Sequence, residues 1–171
     1  MSRYADRVYN NLNFRNKRRS FFDDLAVAKC IEKNWKGTWP VDIGVHDVYA
    51  NPGINYEWQD ITSYFAVLSG QAPEIFYALG GFRFGWRQGT TMNVCCSEQR
   101  CRTADWKVVA TAPGGFIVFD DYTFPADPKR NIIPEYSAGY ELQQLQVYWR
   151  YRMVLNWEET ISNQKLYDCG D

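Results

Sequence analysis

The chain has 171 residues, which is long enough for a single domain with a sizeable hydrophobic core. No run approaches the roughly 20 apolar residues of a bilayer span, so the sequence excludes a membrane-spanning helix. The formal net charge of −1 argues against a protein that binds nucleic acid over its whole surface, while the aromatic content of 17% favours strands and interfaces.

The beginning of the chain is polar and rich in Asn and Arg, and this composition predicts an irregular basic arm. We therefore divide the chain into an N-terminal basic arm, residues 1–19, and a single β-sandwich domain, residues 20–171. Four basic side chains close the arm: Arg15, Lys17, Arg18 and Arg19. Such a run is either a solvated flexible segment or an arm that contacts a phosphate backbone through non-specific charge.

Two short helices are predicted after the arm. The first begins at Ser20, because Ser20 and Asp23 have the spacing of a capping box and apolar residues recur at helical spacing behind them. These apolar residues are Phe21, Leu25 and Ala28. The second helix spans residues 60–70, where an N-capping Asp and a closing Gly enclose one apolar face.

The remaining pattern predicts β-strands. One or two short strands are expected within residues 35–56, where Gly and Pro interrupt apolar pieces. Further strands are expected within residues 80–96, 105–111, 116–122 and 144–155, a loop with several prolines covers 123–139, and a last strand begins at 165. Several strands, long connections and few helices predict an all-β fold, either an antiparallel sandwich or a barrel.

The stretch 80–96 opens with a strand that alternates aromatic and basic side chains. Phe82, Phe84 and Trp86 share one face of it. Arg83 and Arg87 share the opposite face, because a strand points successive side chains to opposite sides. We expect the aromatic face to fill the core, and the interspersed glycines to permit close packing of the backbone.

The sequence offers little for catalysis. His46 is the only histidine, no G-x-S-x-G or phosphate-binding glycine motif is present, and the paired acids are adjacent in sequence. We expect His46 to be structural, and we expect no enzymatic activity and no cofactor.

Cys95, Cys96 and Cys101 are clustered among the five cysteines of the chain. Their spacing differs from the C-x₂₋₄-C pairs of structural zinc sites, so no metal site is expected. Because the number of cysteines is odd and the N-terminus shows no signal-peptide core, we expect reduced thiols in a reducing compartment rather than a disulfide framework.

Several short motifs occur in a characteristic order. The second predicted helix leads into the strand GGFRFGWRQ, in which Gly81, Arg83 and Arg87 fill the places of a glycine-and-arginine motif. The segment IPEYSAGY, residues 133–140, and the terminal Gly-Asp pair follow later. This order resembles the jelly-roll capsid proteins of picorna-like RNA viruses, the group that includes dicistroviruses, iflaviruses and their marine relatives.

The resemblance implies an antiparallel jelly-roll β-sandwich that forms part of an icosahedral capsid and encloses an RNA genome. It implies other capsid subunits as partners, of the same and of different chains, and a place in the virion and, during assembly, in the host cytoplasm. The arm would contact genomic RNA through Arg15, Lys17, Arg18 and Arg19. The candidate assembly residues are Arg83, Arg87, Tyr136 and Tyr140.

A small apolar-ligand-binding β-barrel of the lipocalin type is the alternative. Its cavity would be lined by Phe82, Phe84, Trp86, Trp149 and Tyr151. The segment Gly37 to Trp39 resembles the G-x-W opening of lipocalins. The two functions differ in one structural requirement, because a ligand-binding barrel leaves a void between its aromatic faces and a sandwich fills it.

Overall fold

The computed structural model describes residues 12–57, 81–112, 114–122 and 151–169. Its elements, in chain order, are α1 (Leu12–Glu32), β1 (Gly37–Val41), β2 (Ile54–Glu57), β3 (Gly81–Trp86), β4 (Thr91–Glu98), β5 (Cys101–Ala110), β6 (Phe116–Tyr122), β7 (Tyr151–Trp157) and β8 (Glu159–Cys169). The predicted helix at 60–70, the predicted loop at 123–139 and the first part of the strand predicted at 144–155 lie outside the described residues.

The described strands form two four-stranded antiparallel sheets. Sheet A has the order β1-β4-β5-β8, and sheet B has the order β2-β3-β6-β7. The prediction of a mostly β, antiparallel protein is therefore confirmed. The jelly-roll order is not confirmed, because β1 and β8 lie at opposite edges of sheet A and the first and last described strands are not neighbours.

Helix α1 begins at Leu12, earlier than the sequence predicts. Residues 12–19, which the prediction placed in an irregular arm, are helical, and Ser20 lies inside the helix instead of capping it. Buried residues recur at every fourth position, at Phe14, Arg18, Phe22, Ala26 and Cys30, and Asp23 beside Phe22 is buried as well. The division at residue 19 is therefore wrong for 12–19, because two residues of this segment are buried on the same helical face as the later ones.

The buried face of α1 lies in the interior between the two sheets. Phe14 packs against Phe82 and Phe84 of sheet B, with ring centroids 5.0 and 5.2 Å apart. Phe22 contacts Trp86 of sheet B at 5.4 Å and Trp106 of sheet A at 5.6 Å. The helix thus supplies the aromatic side chains that fill the space between the sheets.

The stretch 80–96 contains two strands that belong to different sheets. In β3, Phe82, Phe84 and Trp86 are buried and Arg83 is exposed, as the alternation predicts. The chain then turns at 87–90 and enters sheet A as β4, which is again buried at every second residue.

Gly85 lets the loop before β2 cross the end of β3 closely. The backbone of His46 pairs with Trp86 through two hydrogen bonds of 3.1 and 3.3 Å, and a Cβ atom on Gly85 would overlap the carbonyl oxygen of His46. The imidazole of His46 lies edge-on to the Trp86 indole at 4.5 Å, and its Nδ1 is 3.2 Å from the carbonyl oxygen of Asn51. These contacts are structural ones.

Two disulfides overturn the expectation of reduced thiols. Cys30 of α1 is bonded to Cys96 of β4, and Cys101 at the start of β5 is bonded to Cys169 at the end of β8. The partners are 66 and 68 residues apart in the sequence, so their spacing reveals neither pair. Cys95 is an exposed free thiol. Within the described residues, no cluster of His, Cys, Asp and Glu could hold a metal ion.

Candidate functional site

Three of the four predicted RNA-facing residues line one cavity between α1 and β8. Arg15, Arg18 and Arg19 come together because residues three and four apart lie on the same side of a helix. Lys17 is exposed and does not line this cavity. The cavity has a volume of about 200 Å³. We call it the basic cavity; its remaining walls are Trp106 of β5 and the β8 residues Glu159, Thr160, Ile161 and Ser162.

Arg18 forms a buried ion pair inside the wall of the basic cavity. Its Nη1 donates to Oε2 of Glu159 at 2.8 Å and its Nη2 donates to Oε1 at 3.2 Å, and the two side chains are only 5% and 8% exposed. Trp157 Nε1 donates to the same Oε2 at 2.9 Å. A guanidinium group turned inwards and paired in this way is a structural group, so the prediction that Arg18 faces RNA is wrong.

Aromatic rings complete the surroundings of the Arg18 guanidinium group. Its central carbon lies 5.5 Å from the ring centroid of Phe14, 5.5 Å from that of Phe116 and 5.9 Å from that of Phe84. Rings at this distance attract a cation through their negative faces. Among the described residues, one carboxylate and three rings surround this charge, although the sequence shows only a basic run.

Arg15 and Arg19 differ from Arg18 in both burial and pairing. Both are exposed, and neither makes an ion pair or a side-chain hydrogen bond within the described part of the chain. They are one helical turn apart, a spacing at which two like charges repel each other. With the charge of Arg18 balanced by Glu159, the described lining residues carry a net charge of about +2 from these two groups.

Asp23 fixes the position of α1 beside the basic cavity. Its carboxylate is buried and accepts a hydrogen bond from Trp106 Nε1 at 2.7 Å and one from Asn163 Nδ2 at 2.9 Å. The sequence predicts Asp23 to cap a helix, and it does not, because it is in the middle of α1. Only a strand 140 residues further along the chain supplies its second partner.

The candidate assembly residues are only partly described. Arg83 is exposed on the outer side of sheet B, and its Nη1 donates to the carbonyl oxygen of Tyr49 at 3.3 Å. Arg87 is exposed at the turn after β3. Tyr136 and Tyr140 lie outside the described residues. A role of Arg83 and Arg87 in assembly therefore stays a prediction.

Large apolar side chains are exposed on β1 and β8, which are the edge strands of sheet A among the described strands. On β8, Leu166 is 56% and Tyr167 is 52% exposed, and on β1 Trp39 is 37% exposed. Tyr167 stacks on the buried Trp35 at 5.1 Å, so its ring is held in place although its outer face is open. An edge strand offers unpaired backbone groups, and the apolar side chains beside them add a surface suited to a partner.

Comparison of the chain with family models, curated proteins and solved structures finds no match in any of the three. Within the described residues, no helix is both long enough and apolar enough to cross a membrane.

Proposed function

We propose that this chain is a structural protein that forms part of an icosahedral viral capsid by packing with other capsid subunits and enclosing an RNA genome. The observation that carries the proposal is the exposure of Leu166 and Tyr167 on the edge strand β8, with Trp39 on the opposite edge of sheet A. A subunit that packs against neighbours on both sides needs apolar side chains at its edges, where an isolated protein would place charged residues.

The filled interior supports a structural role over the ligand-binding alternative. A lipocalin-like barrel would need a void beside Phe82, Phe84 and Trp86. In this chain Phe14 and Phe22 of α1 contact those rings at 5.0 to 5.4 Å. A ligand would have to displace the helix, which a disulfide and a buried ion pair attach to sheet A.

We extend the proposal to the jelly-roll type of sandwich. Along the chain, β4 and β5, which pair in sheet A, lie between β3 and β6, which pair in sheet B. Nested pairing of this kind is the Greek-key arrangement from which jelly rolls are built. The edge strands β1 and β8 depart from that arrangement, so the support comes from the four central strands.

The proposal places the protein in the host cytoplasm during assembly and in the virion afterwards. Disulfides persist in oxidising surroundings, whereas the cytosol keeps cysteine thiols reduced. Both pairs, Cys30–Cys96 and Cys101–Cys169, would therefore form as the particle leaves the cell. The proposal assigns no enzymatic role and no cofactor to the chain.

The native mass of the protein tests this proposal. We expect the chain to assemble into species of many copies in sedimentation and light-scattering measurements. Leu166→Lys should reduce the assembled fraction, because a lysine on an edge strand blocks strand-to-strand packing. Val45→Lys is the matched control, since Val45 is equally exposed at 55% but lies in a loop outside both sheets.

A stable monomer at all concentrations, with and without added RNA, would contradict the capsid proposal. If that monomer also takes up an apolar fluorescent ligand with one-to-one stoichiometry, the lipocalin-like alternative gains the support.

A further inference from the structure

The positive charge of the basic cavity is not balanced by acidic side chains among the described residues. Arg15 and Arg19 are exposed, one helical turn apart, and without an ion pair among the described residues. Both side chains line the same cavity. They therefore do not point to different sides of the helix, which would reduce the repulsion between their charges. Two guanidinium groups in this arrangement are stabilised by an anion placed between them.

Backbone hydrogen-bond donors border the same space. Thr160 and Ser162 line the basic cavity from β8, an edge strand of sheet A among the described strands. Their side chains lie on the face of β8 opposite to that of Glu159 and Asn163, which contact α1, because successive side chains of a strand alternate. The part of Thr160 and Ser162 nearest to α1 is therefore the backbone, and the amide groups of an edge strand donate hydrogen bonds without carrying charge. Arginine forks and backbone amide donors together are groups that proteins use to bind phosphate oxygens.

The basic cavity is large enough for a small anion, since its volume is about 200 Å³. One tetrahedral phosphate group with part of its hydration fits into such a space. Among the described lining residues Glu159 is the only carboxylate, and its charge is neutralised by Arg18, so it does not oppose a bound anion.

The walls of the basic cavity are held rigid before any ligand arrives. The Arg18–Glu159 ion pair joins α1 to β8, and the hydrogen bonds of Asp23 join α1 to both β5 and β8. A site whose walls are already ordered loses less entropy on binding than a flexible arm does. This is the difference between a defined anion site and the diffuse charge that the sequence alone predicts.

We infer that the basic cavity is a binding site for a single phosphate group, held by the guanidinium groups of Arg15 and Arg19 and by backbone amide groups of β8. The inference stands on the cavity itself. Only the assignment of that phosphate to the backbone of an RNA chain rests on the proposed function.

The test compares two double variants of equal charge in the full chain. Arg15→Gln with Arg19→Gln removes the proposed ligands and keeps good helix formers in α1. Arg100→Gln with Lys107→Gln removes the same charge from exposed positions on the β4–β5 turn and on β5. The probes are inorganic phosphate, followed by thermal unfolding at constant ionic strength, and a fluorescent ten-nucleotide oligouridylate, followed by anisotropy.

We expect phosphate to raise the unfolding temperature of the wild type and of the Arg100/Lys107 variant. The Arg15/Arg19 variant should bind phosphate at least about tenfold more weakly. Thr160→Val with Ser162→Ala changes only side chains on the opposite face of β8, so it should leave phosphate binding unchanged. Without phosphate, the Arg15/Arg19 variant should be as stable as the wild type or slightly more stable.

The absence of any phosphate-specific shift in the wild type would overturn the inference. Equal weakening in the two charge-matched variants would also overturn it, because binding would then follow net charge alone. Binding of phosphate without binding of oligouridylate supports the site, identifies free phosphate as its source and removes the RNA contact from the proposed function. Assembly is measured separately by native mass, so the two proposals can fail independently.

Discussion

The two ends of α1 are attached to sheet A by different chemistry. Near the beginning of the helix, Arg18 forms a buried ion pair with Glu159 of β8. Near its end, Cys30 is bonded covalently to Cys96 of β4. The disulfide holds regardless of charge, whereas the ion pair depends on both partners and on the rings and donors around them.

This difference explains where a binding site can arise on the helix. Covalent attachment and apolar packing fix the later half of α1, where Phe22, Ala26 and Cys30 are all completely buried. The earlier half is held by the packing of Phe14 and by the ion pair of Arg18, and it exposes Arg15 and Arg19 on either side of Arg18. The exposed positive charges of Arg15 and Arg19 beside this ion pair create an electric field that attracts anions.

Breaking the ionic attachment should have the largest effect. Arg18→Met leaves the carboxylate of Glu159 buried with only Trp157 as a described partner, so we expect a loss of about 3–5 kcal/mol of unfolding free energy. Chemical denaturation measures it. Arg19→Met is the matched control, because Arg19 is exposed, and it should change stability by less than about 0.5 kcal/mol.

The double variant Arg18→Met with Glu159→Leu sharpens this result. Replacing both charges by apolar groups of similar size avoids an unpaired buried charge, so most of the loss should be recovered. A double variant that is as unstable as the sum of the single variants would contradict a mutual ion pair. It would assign the role of Arg18 to its aromatic contacts instead.

Removing the covalent attachment should have an effect of similar size. Replacing Cys30 and Cys96 by Ser opens a loop of 66 residues, for which the chain-entropy relation gives about 4 kcal/mol. Replacing Cys101 and Cys169 opens a loop of 68 residues and serves as the matched comparison. Equal losses would indicate that loop entropy dominates in both.

The two disulfides differ in burial, and this difference predicts the order of their reduction. Cys30 and Cys96 are buried, whereas Cys101 is partly exposed and Cys169 is exposed. A reductant should therefore open Cys101–Cys169 first, as alkylation and mass spectrometry would show. Reduction of the buried pair first would contradict the packing of α1 against β4.

The sequence predicts those features that depend on neighbouring residues. Strand periodicity correctly places Phe82, Phe84 and Trp86 inside and Arg83 outside, because alternation is a local property of the extended backbone. The predicted strand at 116–122 coincides with β6 for the same reason. A fold with few helices and alternating strands could therefore be recognised without coordinates.

Features made by distant partners could not be predicted. Arg18 is buried because Glu159, 141 residues further on, neutralises it, and nothing near Arg18 in the sequence indicates this. The same holds for Cys30, whose partner lies 66 residues away. The basic run at 15–19 gives three residues of the cavity, but the opposite wall belongs to β8, whose sequence carries no signal of a binding site.

The smallest expected effect on stability concerns Glu32, which forms exposed ion pairs at the end of α1. It tests whether ion pairs outside the core contribute to the stability of the protein. Hydrogen bonds from Lys29 and then from Lys33 lower the pKa of Glu32 from 4.5 to about 2. Because the folded pKa is depressed, this contribution to stability is complete above pH 4.5 and is lost as the pH falls from 4.5 towards 2.

An NMR titration of the Glu32 side chain checks this value, and added salt should raise the pKa back towards 4.5, because exposed charges are screened. Glu32→Gln should leave the unfolding free energy at pH 7 almost unchanged. A pKa near 4.5 at low ionic strength would mean that the lysines do not hold Glu32 in solution. The exposed ion pairs of Glu32 would then contribute nothing, in contrast to the buried ion pair of Arg18 and Glu159. Of the charges on α1, only the buried ones would hold the helix on sheet A.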